Sequence, residues 1–336
     1  MSTPTVDGKD PQGQSVPIQL GPGYLTGIAW SKTGWLIIGF AAHPEAAGPA
    51  AQKVWQLRAD GGGLQEISLL KDPECTRTDY MQPTALSDGR VGLVKICHLP
   101  LGTGPAATFS VVAHDLITGS TQQIFGPQDK LNPAGFSFDP GIRRAVVGDG
   151  GAFCATIGWL TLNGPEALPI TLGSGTRSWR LDEAFQADPD QDCTKLGKAT
   201  TPSWSPDGNQ IAFLASPEAI GLSGRDRLAP PWEIYVMNPD SLRVRRVTEQ
   251  LAGPSRPAWS PDSRWIAFSA TIKGEPGTWL LDTSTDSLHR FTNTTAEDIA
   301  WSPEGKRVAI LHDKAAPSEY PPDIEILLYD VASLLK

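Results

Sequence analysis

The chain has 336 residues, with 28 Lys and Arg against 37 Asp and Glu, and the resulting net charge of −9 excludes a nucleic-acid partner, which needs clustered basic side chains. Hydrophobic residues make up 40% and charged ones 19%, enough for a sizeable core, yet no apolar run approaches the roughly 18–20 residues of a membrane helix. Gly (34), Pro (30) and Trp (11) are plentiful and Met (3) scarce, which suits many turns between short strands and excludes a helical bundle.

Residues 1–16 are polar and rich in Pro, Gly and Gln, without the basic start and apolar stretch of a secretory signal. Residues 1–14 are expected to be a flexible segment ahead of one domain spanning 15–336. Within that domain, Ser15-Val-Pro-Ile-Gln-Leu20 reads as a short strand with nothing nearby to pair with. Three loosely related hairpins follow. Ile28-Ala-Trp-Ser-Lys-Thr-Gly-Trp-Leu-Ile-Ile38 carries Trp-Ser-x-x-Gly, Thr84-Ala-Leu-Ser-Asp-Gly-Arg-Val-Gly-Leu-Val94 carries Ser-Asp-Gly, and Phe136-Ser-Phe-Asp-Pro-Gly-Ile-Arg-Arg-Ala-Val-Val147 carries Asp-Pro-Gly.

The next three copies align without gaps: Pro202-Ser-Trp-Ser-Pro-Asp-Gly-Asn-Gln-Ile-Ala-Phe213, Pro257-Ala-Trp-Ser-Pro-Asp-Ser-Arg-Trp-Ile-Ala-Phe268 and Ile299-Ala-Trp-Ser-Pro-Glu-Gly-Lys-Arg-Val-Ala-Ile310. Each is a strand ending in Trp, a turn set by Pro and by Gly or Ser, and an alternating apolar strand. Third strands follow at 54–59, 109–113, 155–162, 232–237, 278–281 and 324–329. Fourth strands follow five of them, at 65–69, 122–125, 167–172, 244–248 and 288–292. Trp259 and Trp301 stand 42 residues apart, within the ~40–45 of a four-stranded blade. The expected fold is therefore all-β, a six-bladed β-propeller of four-stranded antiparallel blades. The last blade lacks a fourth strand, and a raw sheet edge invites aggregation, so residues 15–20 are expected to complete it; Pro17 is tolerable on an edge.

The hairpin at Trp204–Phe213, repeated at Trp259 and Trp301, resembles the repeat of TolB-like six-bladed propellers. The strong copies cover the C-terminal part of the chain and the weaker ones extend over the rest. The resemblance covers only the propeller half of TolB, and the family's additional N-terminal α/β domain is not expected to find room in these 336 residues. It implies a periplasmic or extracellular binding protein, while related propellers serve as accessory domains of serine peptidases.

Chemical motifs are sparse. No Gly-x-Ser-x-Gly elbow, Cys-x-x-Cys or His-Glu-x-x-His occurs, and Asp188-Pro-Asp190-Gln-Asp192 lacks the Gly and closing Glu of a calcium loop. No cofactor is expected. The links on one side of the blades are short, whereas those on the other, at 39–53, 70–82, 97–108, 173–200, 216–231 and 312–323, are long; such loops carry function more often than scaffold. On that face the expected partner-binding side chains are Tyr80, Trp179, Arg180, Arg225, Arg227, Trp232 and Tyr320, types that anchor interfaces. The alternative for each aromatic is that it folds its own loop onto the scaffold. The function expected is non-catalytic binding of a protein, peptide or glycan, with a structural subunit of an extracellular or envelope assembly as one alternative. The other is a metal-dependent enzyme using His43, His98 and His312, an arrangement that would resemble the propeller lyases acting on oligogalacturonate.

Four cysteines allow three pairings, and the propeller register selects Cys75–Cys97 and Cys154–Cys193. Each of these pairs joins the same or adjacent blades, whereas crossed pairs would have to span beyond the ~7 Å Cα separation of a disulfide. Bridges imply an extracytoplasmic protein whose signal has been removed; four reduced cysteines would place it in the cytoplasm.

Overall fold

In the computed structural model the residues described are 13–20, 23–42, 52–100, 106–128, 133–149, 156–161, 164–169, 171–174, 177–180, 198–216, 232–314 and 323–335. They form strands and no helix, and none of them belongs to a helix long and apolar enough to cross a membrane. The architecture is a six-bladed β-propeller of four-stranded antiparallel sheets. The chain divides into two compact units, one containing Leu131–Thr294 and the other Pro11–Lys130 with Thr295–Lys336.

The second of these units holds blades six, one and two. Strand β1 (Gln14–Val16) precedes blade one, which is β2 (Gly23–Trp30), β3 (Trp35–Ala42), β4 (Gln52–Arg58) and β5 (Gln65–Glu66). Blade two is β6 (Arg77–Ala85), β7 (Val91–His98), β8 (Ala107–His114) and β9 (Thr121–Gln128). The other unit holds blade three, β10 (Pro133–Phe138), β11 (Ala145–Asp149), β12 (Thr156–Thr161) and β13 (Gly164–Ala167), followed by a hairpin of β14 (Thr171–Ser174) and β15 (Arg177–Arg180). Blade four is β16 (Lys198–Trp204), β17 (Ile211–Ser216), β18 (Glu233–Met237) and β19 (Val244–Arg246). In blade five the first strand is split into β20 (Leu251–Ala252) and β21 (Ala258–Trp259). Both halves pair with β22 (Trp265–Ile272), and β23 (Glu275–Asp282) and β24 (Ser287–Thr292) complete the sheet. Pro254 and Pro257 lie in the gap and have no amide hydrogen for the ladder. Blade six, β25 (Asp298–Trp301), β26 (Arg307–Asp313) and β27 (Ile324–Asp330), is completed by β1 in the register Gln14↔Leu328, Ser15↔Leu327 and Val16↔Ile326.

The repeated motif explains itself in hydrogen bonds. The motif serines Ser31, Ser205, Ser260 and Ser302 are buried, and each Oγ accepts a backbone amide from the far side of its turn: Trp35 at 3.0 Å, Gln210 at 2.9 Å, Trp265 at 2.9 Å and Arg307 at 3.0 Å. Ser205 in turn donates to Asp207 Oδ1 at 2.6 Å. In blade three Asp139 takes the place of Ser, its Oδ1 accepting the amides of Arg143 and Arg144 at 2.7 and 3.1 Å. Gly208 completes its turn at φ +80°, a conformation that favours glycine. The preceding apolar residue, whether Trp30, Leu86, Phe138, Trp204, Trp259 or Trp301, is buried. The Trp30 ring joins the core shared by blades six and one, Trp204 that of blades three and four, and Trp259 that of blades four and five. Arginines cover several of these rings: Arg307 lies 5.0 Å from the Trp30 centroid, and Arg144 sits 4.9 and 5.1 Å from Trp159 and Trp204.

Some boundaries differ from the sequence expectation. The closing strand is Gln14–Val16 and not 15–20, because Pro17 ends the ladder. Blade three ends with Gly164–Ala167 and not 167–172; Leu168 is buried, Pro169 cannot donate, and Thr171–Ser174 pairs with Arg177–Arg180 instead. Blade two begins at Arg77, inside a stretch expected to be loop through residue 82.

Candidate functional site

Of the six long links, the one between blades one and two lies entirely within the described residues. It is pinned to blade two by a cluster of unlike interactions. Cys75 is bonded to Cys97 on β7, with Cα atoms 5.2 Å apart. Asp72 Oδ2 accepts from Lys95 Nζ at 2.6 Å, and its Oδ1 accepts the Glu74 amide at 3.0 Å; together these hold its carboxyl below the usual carboxylate value. The Thr76 amide donates to His98 O at 2.8 Å. Tyr80 donates from its hydroxyl to Leu70 O at 2.7 Å, and burial, with the Asp72 charge, pushes its phenol up to about 12. Leu70 itself, in the link between β5 and β6, is 69% exposed.

Beside this latch lies a buried carboxylate. Asp79 is 3% exposed, and its Oδ2 takes Arg77 Nη2 at 2.6 Å and His98 Nε2 at 2.8 Å, while its Oδ1 accepts the Gln52 amide at 3.4 Å. The backbone places these groups: Arg77 and Asp79 are two apart on β6, so they share a face, and Arg77 is the register partner of His98 on β7. About a third of the Arg77 and His98 side chains stays exposed, so two cationic or donor groups face solvent over a buried negative charge.

Blade six brings a different set to the same kind of strand end. Asp298 Oδ2 accepts the Ile28 amide at 3.0 Å, and His312 Nδ1 lies 3.0 Å from Thr295 O. Lost hydration and the neighbouring charges of Asp313 and Asp298 raise the Glu297 carboxyl, against the opposing pull of His312. In the other unit, blade four buries Glu233, which accepts Tyr235 Oη at 2.7 Å and Arg246 Nη1 at 3.0 Å. Burial and the Glu233 bond push the Tyr235 phenol upward.

The side chains expected from sequence scatter among these places. Tyr80 was expected to be exposed; it is buried and anchors its loop. Trp232 is half-buried, forms a bridge to Leu251 and packs against the core of blades four and five. Trp179 and Arg180 lie on β15, in register with Leu172 and Thr171. Arg225, Arg227, Tyr320, His43, Cys154 and Cys193 lie outside the described residues. Asp72, Cys75 and Cys97 are the one trio of metal-ligating side chains found close together among the described residues; neither His98 nor His312 belongs to it. Asp72, Arg77, Asp79 and Lys95 were missed by motif. The available signal was the Arg-x-Asp alternation on a strand whose partner ends in His.

A model of the TolB beta propeller domain family matches residues 189–321. An uncharacterized protein of Agrobacterium fabrum is 28% identical over 127 residues, 37% of this chain and 39% of the relative. The Tol-Pal system protein TolB of Francisella tularensis is 29% identical over 111 residues, 32% of this chain and 26% of the relative. The chain thus matches well under half the length of these relatives. Among solved structures, TolB from Acinetobacter baumannii superposes with a TM-score of 0.56 at 18% identity, covering 91% of this chain and 63% of that one. An α-L-arabinofuranosidase from Fusarium graminearum gives 0.57 at 11% identity, covering 98% and 100%. At such identities the superpositions speak for fold alone: the chain is a six-bladed β-propeller, and its residues 189–321 are similar to the TolB beta propeller domain.

Proposed function

We propose that the chain is a non-catalytic binding propeller that takes a protein or peptide partner on its long-loop side, outside the cytoplasm. The observation that carries this reading is the contrast between the two ends of the blades. The hairpin ends of five blades repeat one local hydrogen bond around a buried Ser or Asp, with ion pairs such as Arg264–Asp282 and Arg245–Asp286 added beside it. The loop ends of blades two, four and six share no repeated bond, and each holds its own charged cluster. Varied, partly exposed Arg, His and carboxylate groups on a rigid sheet suit recognition of a polar partner surface. The similarity to a Tol-Pal system protein points the same way, and the Cys75–Cys97 bridge favours an oxidising compartment.

Two exposed apolar side chains make the test direct: Leu70, on the loop side, and Ile117, 85% exposed in the turn between β8 and β9 on the hairpin side. Affinity capture from the native source compares Leu70→Asp with Ile117→Asp. Loss of the captured partner in the Leu70 variant, with retention in the Ile117 variant, is the expected result; the reverse pattern places the binding surface at the other end.

A further inference from the structure

We propose that Asp72, Cys75 and Cys97 form a redox-gated site for Zn²⁺, assembled when the bridge is reduced and abolished when it is oxidised. One carboxylate oxygen and the two sulfurs already lie within 4.8 Å of one another. The ligand atoms of a tetrahedral zinc site stand about 3.5–4 Å apart, so after reduction the two sulfurs part by about 1.5–2 Å from their bonded separation and the carboxylate oxygen closes in by about 1 Å. The softness of two thiolates selects zinc over calcium or magnesium. This site is independent of the partner-binding reading above.

The pair survives reduction because other bonds hold it. Without the sulfur–sulfur bond, Thr76 N to His98 O at 2.8 Å still ties the loop to β7, Asp72 N to Thr78 Oγ1 at 3.2 Å ties it to β6, and Cys75 N to Asp72 O at 3.1 Å closes its own turn. Thr78 is also the register partner of Cys97, so Cys75 stays three residues from a strand position fixed opposite its mate. Charge is balanced as well. Two thiolates and a carboxylate exceed the charge of Zn²⁺ by one, and the ammonium of Lys95, 2.6 Å from Asp72 Oδ2, offsets that excess from just outside the ligands. Cys97 is buried while Asp72 and Cys75 are half-buried, which leaves one side open for entry of the cation and for a water as fourth ligand.

The chemistry balances with a dithiol or phosphine as reductant. Two electrons and two protons convert the Cys75–Cys97 bond to two thiols, while the reductant becomes a disulfide or a phosphine oxide whose oxygen comes from water. Zn²⁺ then displaces both thiol protons to solvent. The loop carrying Leu70 is latched in either state, by a covalent bond in an oxidising compartment and by the cation in a reducing one.

The experiment treats the full chain with a phosphine, removes the reductant without air and titrates Zn²⁺ against a chromophoric chelator; Co²⁺ in place of zinc reports thiolate ligation through its charge-transfer band. One equivalent bound by the reduced chain and none by the oxidised chain is expected. The double substitution Cys154→Ser with Cys193→Ser retains that equivalent, and Cys97→Ser loses it together with the band. Asp72→Asn and Lys95→Met retain both cysteines, so each variant is checked for folding with its bridge intact before reduction, and they weaken binding by about ten-fold to a hundred-fold. No uptake on reduction, equal uptake by the oxidised chain, uptake that persists in Cys97→Ser, or uptake that depends on Cys154 and Cys193 would each overturn the proposal.

Discussion

The two ends of each blade are built by different means. At the hairpin ends of every blade but the second, a buried Ser or Asp side chain accepts amides four or five residues on, beside a buried apolar residue; this local bond repeats, and contacts between blades such as Asp207 N to Ser263 Oγ are added to it. At the loop ends the networks of blades two, four and six differ from one another, and some reach a neighbouring blade, as when Gln52 meets Asp79 or Asp298 meets Ile28. The lesson is that the hairpin ends hold the scaffold together while the loop ends are free to diverge, which is where recognition resides in such folds.

The contrast is sharpened most by removing a hairpin-end anchor. Trp204 is buried, its Nε1 donates to Gly208 O at 3.1 Å, and its ring lies 5.6 Å from Trp159 under Arg144. Trp204→Ala is expected to cost about 3–5 kcal/mol, read from urea unfolding. A cost below about 1 kcal/mol would mean that the motif tryptophan does not hold the blades. At the loop end the largest single contribution is the bridge, whose closure spans a sequence separation of 22. Reduction in metal-free buffer is expected to lower stability by about 2–4 kcal/mol while leaving partner capture measurable on folded protein.

Next in size is the buried carboxylate. Asp79→Asn keeps the shape but removes the charge that Arg77 and His98 share, at an expected cost of about 2 kcal/mol. The imidazole signals of His98 should move while those of His114, hydrogen-bonded to Thr121 at the opposite end of the blade, stay in place. Movement of both would mean that the two ends of blade two are not independent.

The fold was legible because its information is local. Three gapless copies of Trp-Ser-Pro-Asp/Glu encode the turn, the buried hydroxyl and the packing ring within a dozen residues, and even Asp139 and Leu86, which depart from the motif, do the same jobs. The Cys75–Cys97 bridge followed from strand register for the same reason. The loop-end chemistry was only partly legible, because Asp79 meets His98 on a neighbouring strand and Gln52 on a neighbouring blade as well as Arg77 two residues back, and the Arg-x-Asp spacing alone does not announce the first two. Tyr80 shows the limit well. An aromatic in a predicted loop reads as an exposed anchor until β6 is seen to start at Arg77 and to turn the ring inward.

The smallest effects carry opposite signs at the two ends, and pH separates them. At the hairpin end of blade five, burial works against ionisation of Asp282, but Arg264 at 2.7 Å and Ser284 at 2.6 and 2.9 Å outweigh it and hold the carboxyl at about 2. A depressed carboxyl binds fewer protons folded than unfolded, so its contribution is complete above the unfolded value of 3.8 and is lost as pH falls toward 2. Glu297, at the loop end of blade six, is raised above 4.5 by lost hydration and by Asp313, so the folded chain binds more protons there. Its charge costs stability at neutral pH, and the cost is relieved as pH falls through the raised value to 4.5. Asp282→Asn is therefore expected to lower stability at pH 7 by about 1 kcal/mol, a deficit that shrinks on acidification. Glu297→Gln should raise stability at pH 7 by no more than a few tenths of a kcal/mol after solvent screening, and the gain should vanish by about pH 4. Thermal unfolding at pH 7 and pH 4 measures both. If Glu297→Gln destabilises at neutral pH, its carboxylate is part of the scaffold, and the division between a structural end and an unburdened recognition end fails in blade six.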